Sequence, residues 1–190
     1  EVGTAVGFSA LLMSECAPEG CRITTIENYD KRIPIARENF RRAGREEQIT
    51  LIEGDAAEVM KTLEGPYDFI FMDAAKGQYI HYLPEALRLL PEGGVLVSDN
   101  VMQDGDVIES RFAVERRNRT IHARMREYLY ELKHNDALVT SIIPLGDGVA
   151  MSVKRASGPT DSVAADMNPA ECGAAEEIKR QEGTENGKTS

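Results

Sequence analysis

The sequence contains no apolar run that approaches the roughly 18 residues required to cross a membrane, so we expect a soluble chain. Its three cysteines, Cys16, Cys21 and Cys172, are scattered and odd in number. They match neither a disulfide framework nor the spacing of a zinc site, which predicts reduced thiols in a cytoplasmic protein. The three histidines also lack metal-ligand spacing. These absences argue against a membrane-spanning protein, a disulfide scaffold and a zinc site built on cysteine or histidine.

Charge is unevenly distributed along this chain, whose formal net charge is −10. Residues 156–190 are rich in small and acidic residues and almost free of large apolar side chains, which predicts a disordered acidic tail. Residues 1–155 then form one folded domain. Within it, residues 110–126 carry six arginines and one glutamate, a local charge of +5. The overall charge argues against a nucleic-acid partner, but this basic segment favours one unless it is an ordinary solvated helix face.

Two short apolar runs end abruptly in polar residues: the first runs into Asp73, and the second runs into Asp99 and Asn100. Unbroken apolar runs of this length are typical of strands buried on both faces of a parallel sheet. Ligands bind beyond the carboxyl ends of such strands, so we expect these three side chains to emerge side by side. Lys76 follows Asp73 by one turn. Three oxygen donors favour Mg²⁺ or Ca²⁺ over zinc, unless Asp73 only caps a helix and the other two form an ordinary turn.

The first residues contain a glycine turn, with Gly3 and Gly7 placed before a helical segment. Because so little precedes this turn, we expect the chain to begin inside a strand. The spacing is not that of the G-x-G-x-x-G fingerprint of nicotinamide-binding domains. About twenty residues later, Glu27 ends a second β-prone run, where a carboxylate would bind a pair of ribose hydroxyls. Asp55 follows a third strand and either caps the next helix or faces a ligand.

Helical patterns alternate with the strands until residues 137–143 and 148–154, which are predicted as an antiparallel hairpin. The helix before that hairpin has one apolar stripe, formed by Ile121, Met125, Leu129 and Leu132. This order predicts an α/β three-layer sandwich, in which helices cover a Rossmann-like, mostly parallel sheet that ends in a C-terminal antiparallel hairpin.

Taken together, these motifs resemble the divalent-metal-dependent O-methyltransferases that use S-adenosylmethionine, a family that includes catechol and caffeoyl-coenzyme A methyltransferases and their bacterial relatives. The matching motifs are E-V-G-T-A-V-G-F-S at 1–9, the strand end at Glu27, G-D-A at 54–56, D-A-A-K at 73–76, S-D-N at 98–100 and G-D-G at 146–148. The resemblance covers residues 1–155 and implies a class I methyltransferase domain. The family's N-terminal helices and the tail of this chain have no counterpart in the match, so we expect an N-terminally truncated domain.

The resemblance also implies a role for each matched residue. S-adenosylmethionine would be bound by Glu1, Gly3, Gly7, Ser9, Glu27, Asp55, Ala56 and Asp73. Mg²⁺ or Mn²⁺ would be held by Asp73, Asp99 and Asn100. Lys76 would act as the catalytic base, with a solvated helix lysine as the alternative.

An acceptor that chelates a metal must carry two adjacent oxygens, as catechols and 5-hydroxyuracil do. The arginine-rich segment resembles that of bacterial relatives that methylate 5-hydroxyuridine at the tRNA wobble position, so Arg116, Arg117 and Arg119 would contact phosphates. We therefore predict 5-hydroxyuridine in tRNA, converted to 5-methoxyuridine, as the acceptor. The alternatives are a small catechol-like or caffeoyl-CoA-like acceptor, or a non-catalytic nucleotide-binding domain on the same scaffold. A homodimer is left open.

Overall fold

The computed structural model describes residues 1–156, without the side chain of Asp104. The acidic tail expected over residues 156–190 therefore lies outside the described residues, except for Ala156, and so does Cys172. The helices are α1 (Phe8–Cys16), α2 (Ile33–Arg42), α3 (Ala56–Thr62), α4 (Tyr79–Leu89) and α5 (Arg119–His134), with 3₁₀ turns at Lys76–Gln78 and Gln103–Ile108. The strands are β1 (Ile23–Glu27), β2 (Ile49–Glu53), β3 (Phe69–Met72), β4 (Val95–Ser98), β5 (Leu138–Ile143) and β6 (Val149–Lys154). No helix within residues 1–156 has the length and apolar character that a membrane crossing requires.

The strands form a mixed sheet. β1 pairs with β2 in parallel, and β3 pairs with β4 in parallel. β6 lies antiparallel between β4 and β5. Val2 joins the two sets because it bridges both Ile26 of β1 and Met72 of β3. The structure therefore confirms the predicted α/β fold, with its parallel strands and its C-terminal antiparallel hairpin.

Helices cover both faces of the sheet at β1. Ile23 belongs to a buried cluster with Ala10 of α1 and Phe40 of α2. Ile26, three residues further along the strand, belongs to a second cluster that contains Met60 of α3. Because successive side chains of a strand point to opposite faces, β1 contributes to both clusters and its end lies between two helical layers.

The set formed by β3, β4, β6 and β5 has one buried face and one open face. Leu96 and Ala150 are fully buried on the side of α4 and α5. Phe69, Val153 and Val139, which are aligned across the strands on the other face, are 48%, 37% and 54% exposed. Within residues 1–156 this second face is an exposed apolar surface.

The apolar stripe predicted for the last helix is partly wrong. Met125 and Leu132 of α5 are buried, but Ile121 is 37% exposed. His122 and Tyr128 are buried instead, at 3% and 0% exposed. Helical periodicity locates a stripe only to within about one position, and here the buried face is shifted by one residue at the N-terminal end of α5.

Candidate active site

A cavity of about 460 Å³ lies where β1, β2, β3 and β4 end. Six of the residues singled out in the sequence line it: Gly3, Glu27, Ala56, Asp73, Lys76 and Asn100. Tyr29, Arg32 and Tyr82 also contribute to its wall. These residues are far apart in the sequence, and they meet because the strands that precede them end at the same edge of the sheet.

The glycine turn passes directly over the end of β3. Gly3 has a φ angle of 106°, and a Cβ atom at that position would lie 2.1 Å from the carbonyl oxygen of Asp73. Gly7 has a φ angle of 86°, and its Cβ would lie 2.5 Å from the ring of Phe40. Only glycine tolerates both the left-handed conformation and these close approaches. Gly3 therefore lines the cavity with its backbone, whereas Gly7 lies outside the wall, at the start of α1.

Glu1 and Ser9 do not line this cavity. Their side chains are turned toward each other, because the hydroxyl groups of Ser9 and Thr25 donate hydrogen bonds to the Glu1 carboxylate. Thr25 also shares a hydrogen bond of 2.6 Å with Thr4. This network connects the start of the chain with α1 and β1, so it holds the glycine turn in position.

Glu27 lies at the end of β1 with its carboxylate held by the backbone. The side chain accepts hydrogen bonds from the backbone N–H groups of Ala5 at 2.7 Å, Tyr29 at 2.9 Å and Asn28 at 3.1 Å. Glu27 is only 7% exposed, yet it lines the cavity. Oε1 accepts two of these bonds and Oε2 accepts one, so Oε2 can accept a further donor from a ligand.

Asp55 and Ala56, which follow β2, differ in what they contact. Asp55 caps α3, because its side chain accepts a hydrogen bond of 2.9 Å from the backbone N–H of Ala57. Ala56, the next residue, lines the cavity, whereas Asp55 is absent from its wall. The structure thus shows Asp55 in the capping role, in which it satisfies one donor at the start of the helix.

Lys76 connects the ends of β3 and β4. Its Nζ atom donates hydrogen bonds to Oδ1 of Asp73 at 2.7 Å and to the main-chain oxygen of Asp99 at 3.3 Å. Oδ1 of Asp99 accepts a hydrogen bond of 2.8 Å from the backbone N–H of Asn100. Asn100 has a φ angle of 53°, a left-handed conformation that asparagine tolerates better than most residues. The two strand ends are therefore linked through one ammonium group.

Tyr79 was not singled out in the sequence, but it completes this arrangement. Its hydroxyl donates to the main-chain oxygen of Met72 at 2.9 Å and lies 3.2 Å from that of Asp99. The same hydroxyl accepts hydrogen bonds from Lys76 Nζ at 3.0 Å and from the backbone N–H of Ala74 at 3.3 Å. Tyr79 is fully buried, and this burial raises its pKa. A neutral phenol therefore anchors the amine of Lys76.

A second buried tyrosine supports the first. The ring of Tyr128 packs edge-on against that of Tyr79, with centroids 5.5 Å apart. Its hydroxyl shares a hydrogen bond of 2.5 Å with Ser98, and burial raises its pKa. The spacing of three residues between Lys76 and Tyr79 is the sequence signal that would have found the first tyrosine, since residues three apart in a helical segment share a face.

The ends of β3 and β4 offer oxygen ligands for a hard cation. Asp73 and Asp99 supply carboxylates and Asn100 supplies an amide oxygen, which are ligands that Mg²⁺ accepts. Residues 1–156 contain no group of three or more His, Cys, Asp or Glu side chains that would hold a metal ion, so the amide is needed as the third donor. The ammonium of Lys76 already occupies a cation position between Asp73 and the carbonyl of Asp99. By donor type these three residues suit Mg²⁺ or Mn²⁺, and Asp73 and Asn100 line the cavity whereas Asp99 does not.

The arginines predicted to contact phosphates lie outside the cavity wall. Arg116 and Arg117 are exposed before α5, and Arg117 forms an ion pair of 2.7 Å with Glu115. Arg119 donates a hydrogen bond of 3.2 Å to the main-chain oxygen of Val114. The structure thus gives two of these three side chains partners within their own segment.

Comparison with known proteins points to one family. A family model described as O-methyltransferase matches residues 1–155. A catechol O-methyltransferase of Niastella koreensis is 37% identical over 113 residues, which are 57% of this chain and 51% of that protein. A caffeoyl-CoA O-methyltransferase of Populus trichocarpa is 30% identical over 167 residues, covering 80% of this chain and 64% of that protein. The structure of an SAH-bound methyltransferase of Podospora anserina is 29% identical, with a TM-score of 0.74 over 82% of this chain and 70% of that one.

The chain spans about half the length of the first of these relatives. The family match nevertheless includes every helix and strand described above, from α1 to β6. It also includes all the residues that line the cavity. The chain therefore belongs to the O-methyltransferase family.

Proposed function

We propose that this chain transfers a methyl group from S-adenosylmethionine to a hydroxyl that lies beside a second oxygen on the acceptor. The observation that carries this proposal is the shared wall of the cavity, in which Gly3 and Glu27 lie with Asp73, Lys76 and Asn100. A site for the donor and a site for the acceptor must adjoin, because the attacking oxygen and the methyl group have to be held in line. The SAH-bound relative from Podospora anserina supports the choice of cofactor.

The cofactor would lie along the glycine turn with its ribose hydroxyls on Glu27. A hydrogen bond to an ionised carboxylate contributes about 1.5–3 kcal/mol, and Oε2 of Glu27 has room for one. The backbone N–H groups of Ala5, Asn28 and Tyr29 fix the orientation of this carboxylate. Little conformational freedom would then be lost when the cofactor binds.

At the ends of β3 and β4, Asp73, Asp99 and Asn100 would hold Mg²⁺ or Mn²⁺. Such an ion would lower the pKa of an acceptor hydroxyl bound to it. Lys76 would accept the hydroxyl proton at Nζ after its ammonium group has released a proton to solvent. The acceptor oxygen forms a bond to the methyl carbon while the bond from that carbon to sulfur breaks, and the sulfonium becomes a neutral thioether. Lys76 and the cation would compete for the Asp73 carboxylate. The ion pair between Lys76 and Asp73 must therefore open before the cation can bind Asp73 and Lys76 can accept a proton.

A small catechol-like or caffeoyl-CoA-like acceptor is the first candidate, supported by the catechol and caffeoyl-CoA O-methyltransferases among the relatives. The test is transfer of a labelled methyl group from S-adenosylmethionine to catechol by the whole chain, with and without a chelator. Transfer that disappears in chelator and returns with Mg²⁺ supports the proposal. Full transfer in chelator would exclude the metal-assisted reaction. Cofactor binding without transfer to catechol, caffeoyl-CoA or tRNA would favour a non-catalytic nucleotide-binding domain.

The second candidate acceptor is 5-hydroxyuridine in tRNA, which methylation would convert to 5-methoxyuridine. The exposed side chains of Arg116 and Arg117 in a basic segment favour it, because tRNA binding relies on phosphate contacts. Replacement of Arg116, Arg117 and Arg119 by alanine should then weaken binding of hypomodified tRNA. Each lost contact should flatten the slope of log affinity against log salt by about 0.7–0.9. Turnover of catechol should not change, and unaltered tRNA binding would leave these arginines as a solvated helix face.

We also propose that residues 1–155 form the methyltransferase domain and that residues 156–190 form a separate acidic tail. Limited proteolysis should then cut within the tail first and leave a resistant fragment that ends near Arg155. Early cuts within residues 1–155 would contradict this division. The homodimer remains a prediction, which light scattering of the whole chain measures.

A further inference from the structure

A second cavity, of about 580 Å³, lies between α5 and the residues that follow the 3₁₀ turn Gln103–Ile108. Its polar lining consists of Glu109, Ser110, Arg111, His122 and Arg126. None of these residues lines the cavity assigned to methyl transfer. This second cavity is therefore separate from the candidate active site.

His122 is the buried polar group of this second cavity. It is 3% exposed, and its Nε2 atom lies 3.2 Å from the main-chain oxygen of Glu109. Within residues 1–156, its Nδ1 atom is buried without a hydrogen-bond partner. Because Nε2 faces a carbonyl oxygen, Nε2 carries a hydrogen, and Nδ1 is either a bare acceptor in the neutral ring or a second donor in the imidazolium. Buried polar atoms are nearly always paired, so an unpaired one indicates a partner other than the described residues, such as a bound ligand.

The charges around His122 favour an anionic partner. Arg111 and Arg126, each with a guanidinium group, line the same wall as Ser110, which has a hydroxyl. One nitrogen of Arg126 lies 3.4 Å from the main-chain oxygens of Val107 and of Glu109, which are long contacts. A guanidinium has five N–H donors in a planar fork, so most of those on Arg126 remain for a ligand. The carboxylate of Glu109 opposes an anion, but two arginines outweigh it.

We infer that this cavity binds a phosphate group, held by the guanidinium groups of Arg111 and Arg126 and by Nδ1 of His122. Guanidinium forks match the oxygens of a tetrahedral dianion in geometry and in charge. A phosphate oxygen would also accept the hydrogen that the imidazolium carries at Nδ1. The ligand class is a phosphate ester or free phosphate, and the site recognises the phosphate itself.

Sulfate is the probe for the whole chain, since it has the shape of phosphate and keeps two negative charges near neutral pH. Titration with sulfate near pH 6 should shift the imidazole NMR signals of His122, assigned with His122→Gln. Arg111→Gln and Arg126→Gln should each weaken sulfate binding about tenfold, the value of one charge-assisted hydrogen bond. The matched control is Arg42→Gln, an exposed arginine at the end of α2, which should leave the affinity unchanged. Arg111 is also exposed, so its replacement should not disturb folding.

Glycerol 3-phosphate and glycerol separate a phosphate ester from its alcohol. Glycerol 3-phosphate should shift the His122 signals and compete with sulfate, whereas glycerol should do neither. Binding of sulfate without binding of glycerol 3-phosphate would restrict the site to free phosphate. Sulfate that leaves the His122 signals unchanged would overturn the inference, because a water molecule would then satisfy Nδ1. An equal loss of affinity in Arg42→Gln would overturn it too, since binding would then reflect net charge alone.

Discussion

The cavity of the candidate active site has two ends, the Glu27 end and the Asp73 end, and each holds its carboxylate in a different way. Glu27 is buried, and three backbone N–H groups donate hydrogen bonds to it. The side chain of Asp73 is 44% exposed, and it is bonded by another side chain, that of Lys76. Backbone donors are held in place by the sheet and the turn, whereas a lysine side chain rotates about several bonds. The Glu27 end is therefore preorganised, whereas the Asp73 end can exchange partners.

This difference predicts different consequences of substitution. A group at the Glu27 end contributes to folding and to cofactor affinity at once, because the same carboxylate satisfies backbone donors and faces the cavity. At the Asp73 end, the carboxylate of Asp73 is bonded by the side chain of Lys76, so loss of Lys76 should change turnover and leave cofactor affinity nearly intact.

Removal of divalent ions should abolish methyl transfer to catechol, because the acceptor hydroxyl would no longer be activated. Affinity for S-adenosylmethionine, measured by calorimetry in the same chelator, should stay within about twofold if Glu27 binds the cofactor independently of the ion. Addition of Mg²⁺ or Mn²⁺ should restore turnover. Loss of cofactor binding together with activity would show that the two ends do not act separately.

Lys76→Met should lower kcat by about 10²–10⁴-fold, the usual contribution of a general base, with little change in cofactor affinity. Lys61→Met is the matched control, because Lys61 also lies three residues after an acid and 2.8 Å from it, in this case Glu58. Steady-state kinetics should show normal turnover for the control. If both variants keep the parent kcat, Lys76 is a structural lysine.

Glu27→Gln should weaken S-adenosylmethionine binding about tenfold and also lower the melting temperature by several degrees, because the amide cannot accept all three backbone hydrogen bonds. Glu53→Gln is the matched control. Glu53 is the register partner of Glu27 at the end of β2, but it is exposed and pairs with Arg37 at 2.7 Å. Calorimetry and thermal unfolding measure both variants. Parent affinity in Glu27→Gln would remove this carboxylate from the cofactor site.

Tyr79→Phe should reduce kcat by about two- to tenfold, the value of one hydrogen bond to Lys76, and should leave the KM for the cofactor unchanged. It should also lower the free energy of unfolding by about 1–3 kcal/mol, since the amide of Ala74 and the carbonyl of Met72 lose a buried partner. Tyr130→Phe, at a tyrosine that is 59% exposed, is the control for loss of a hydroxyl. A loss of stability with no change in kcat would make Tyr79 a folding residue only.

Local sequence signals were sufficient to single out Asp73 and Asp99, because each follows an apolar run directly and the end of a buried strand is where a ligand binds. The same signals did not single out Tyr79, since an aromatic residue in a helix is usually part of a core. Its function depends on the carbonyl oxygens of Met72 and Asp99, which belong to two different strand ends. The exposure of Ile121 was missed for a related reason, because burial depends on how a helix crosses its sheet.

The order of helices and strands, the glycine turn and the resemblance to O-methyltransferases could all be predicted from the sequence, and the family match confirms the resemblance. These features depend on residue type and on spacing along the chain. The three amides that bind Glu27 could not be predicted from the sequence, and neither could the position of Lys76 between Asp73 and the carbonyl of Asp99. Partners of this kind come from different elements, so they are set only when the strands pair and their ends meet at one edge.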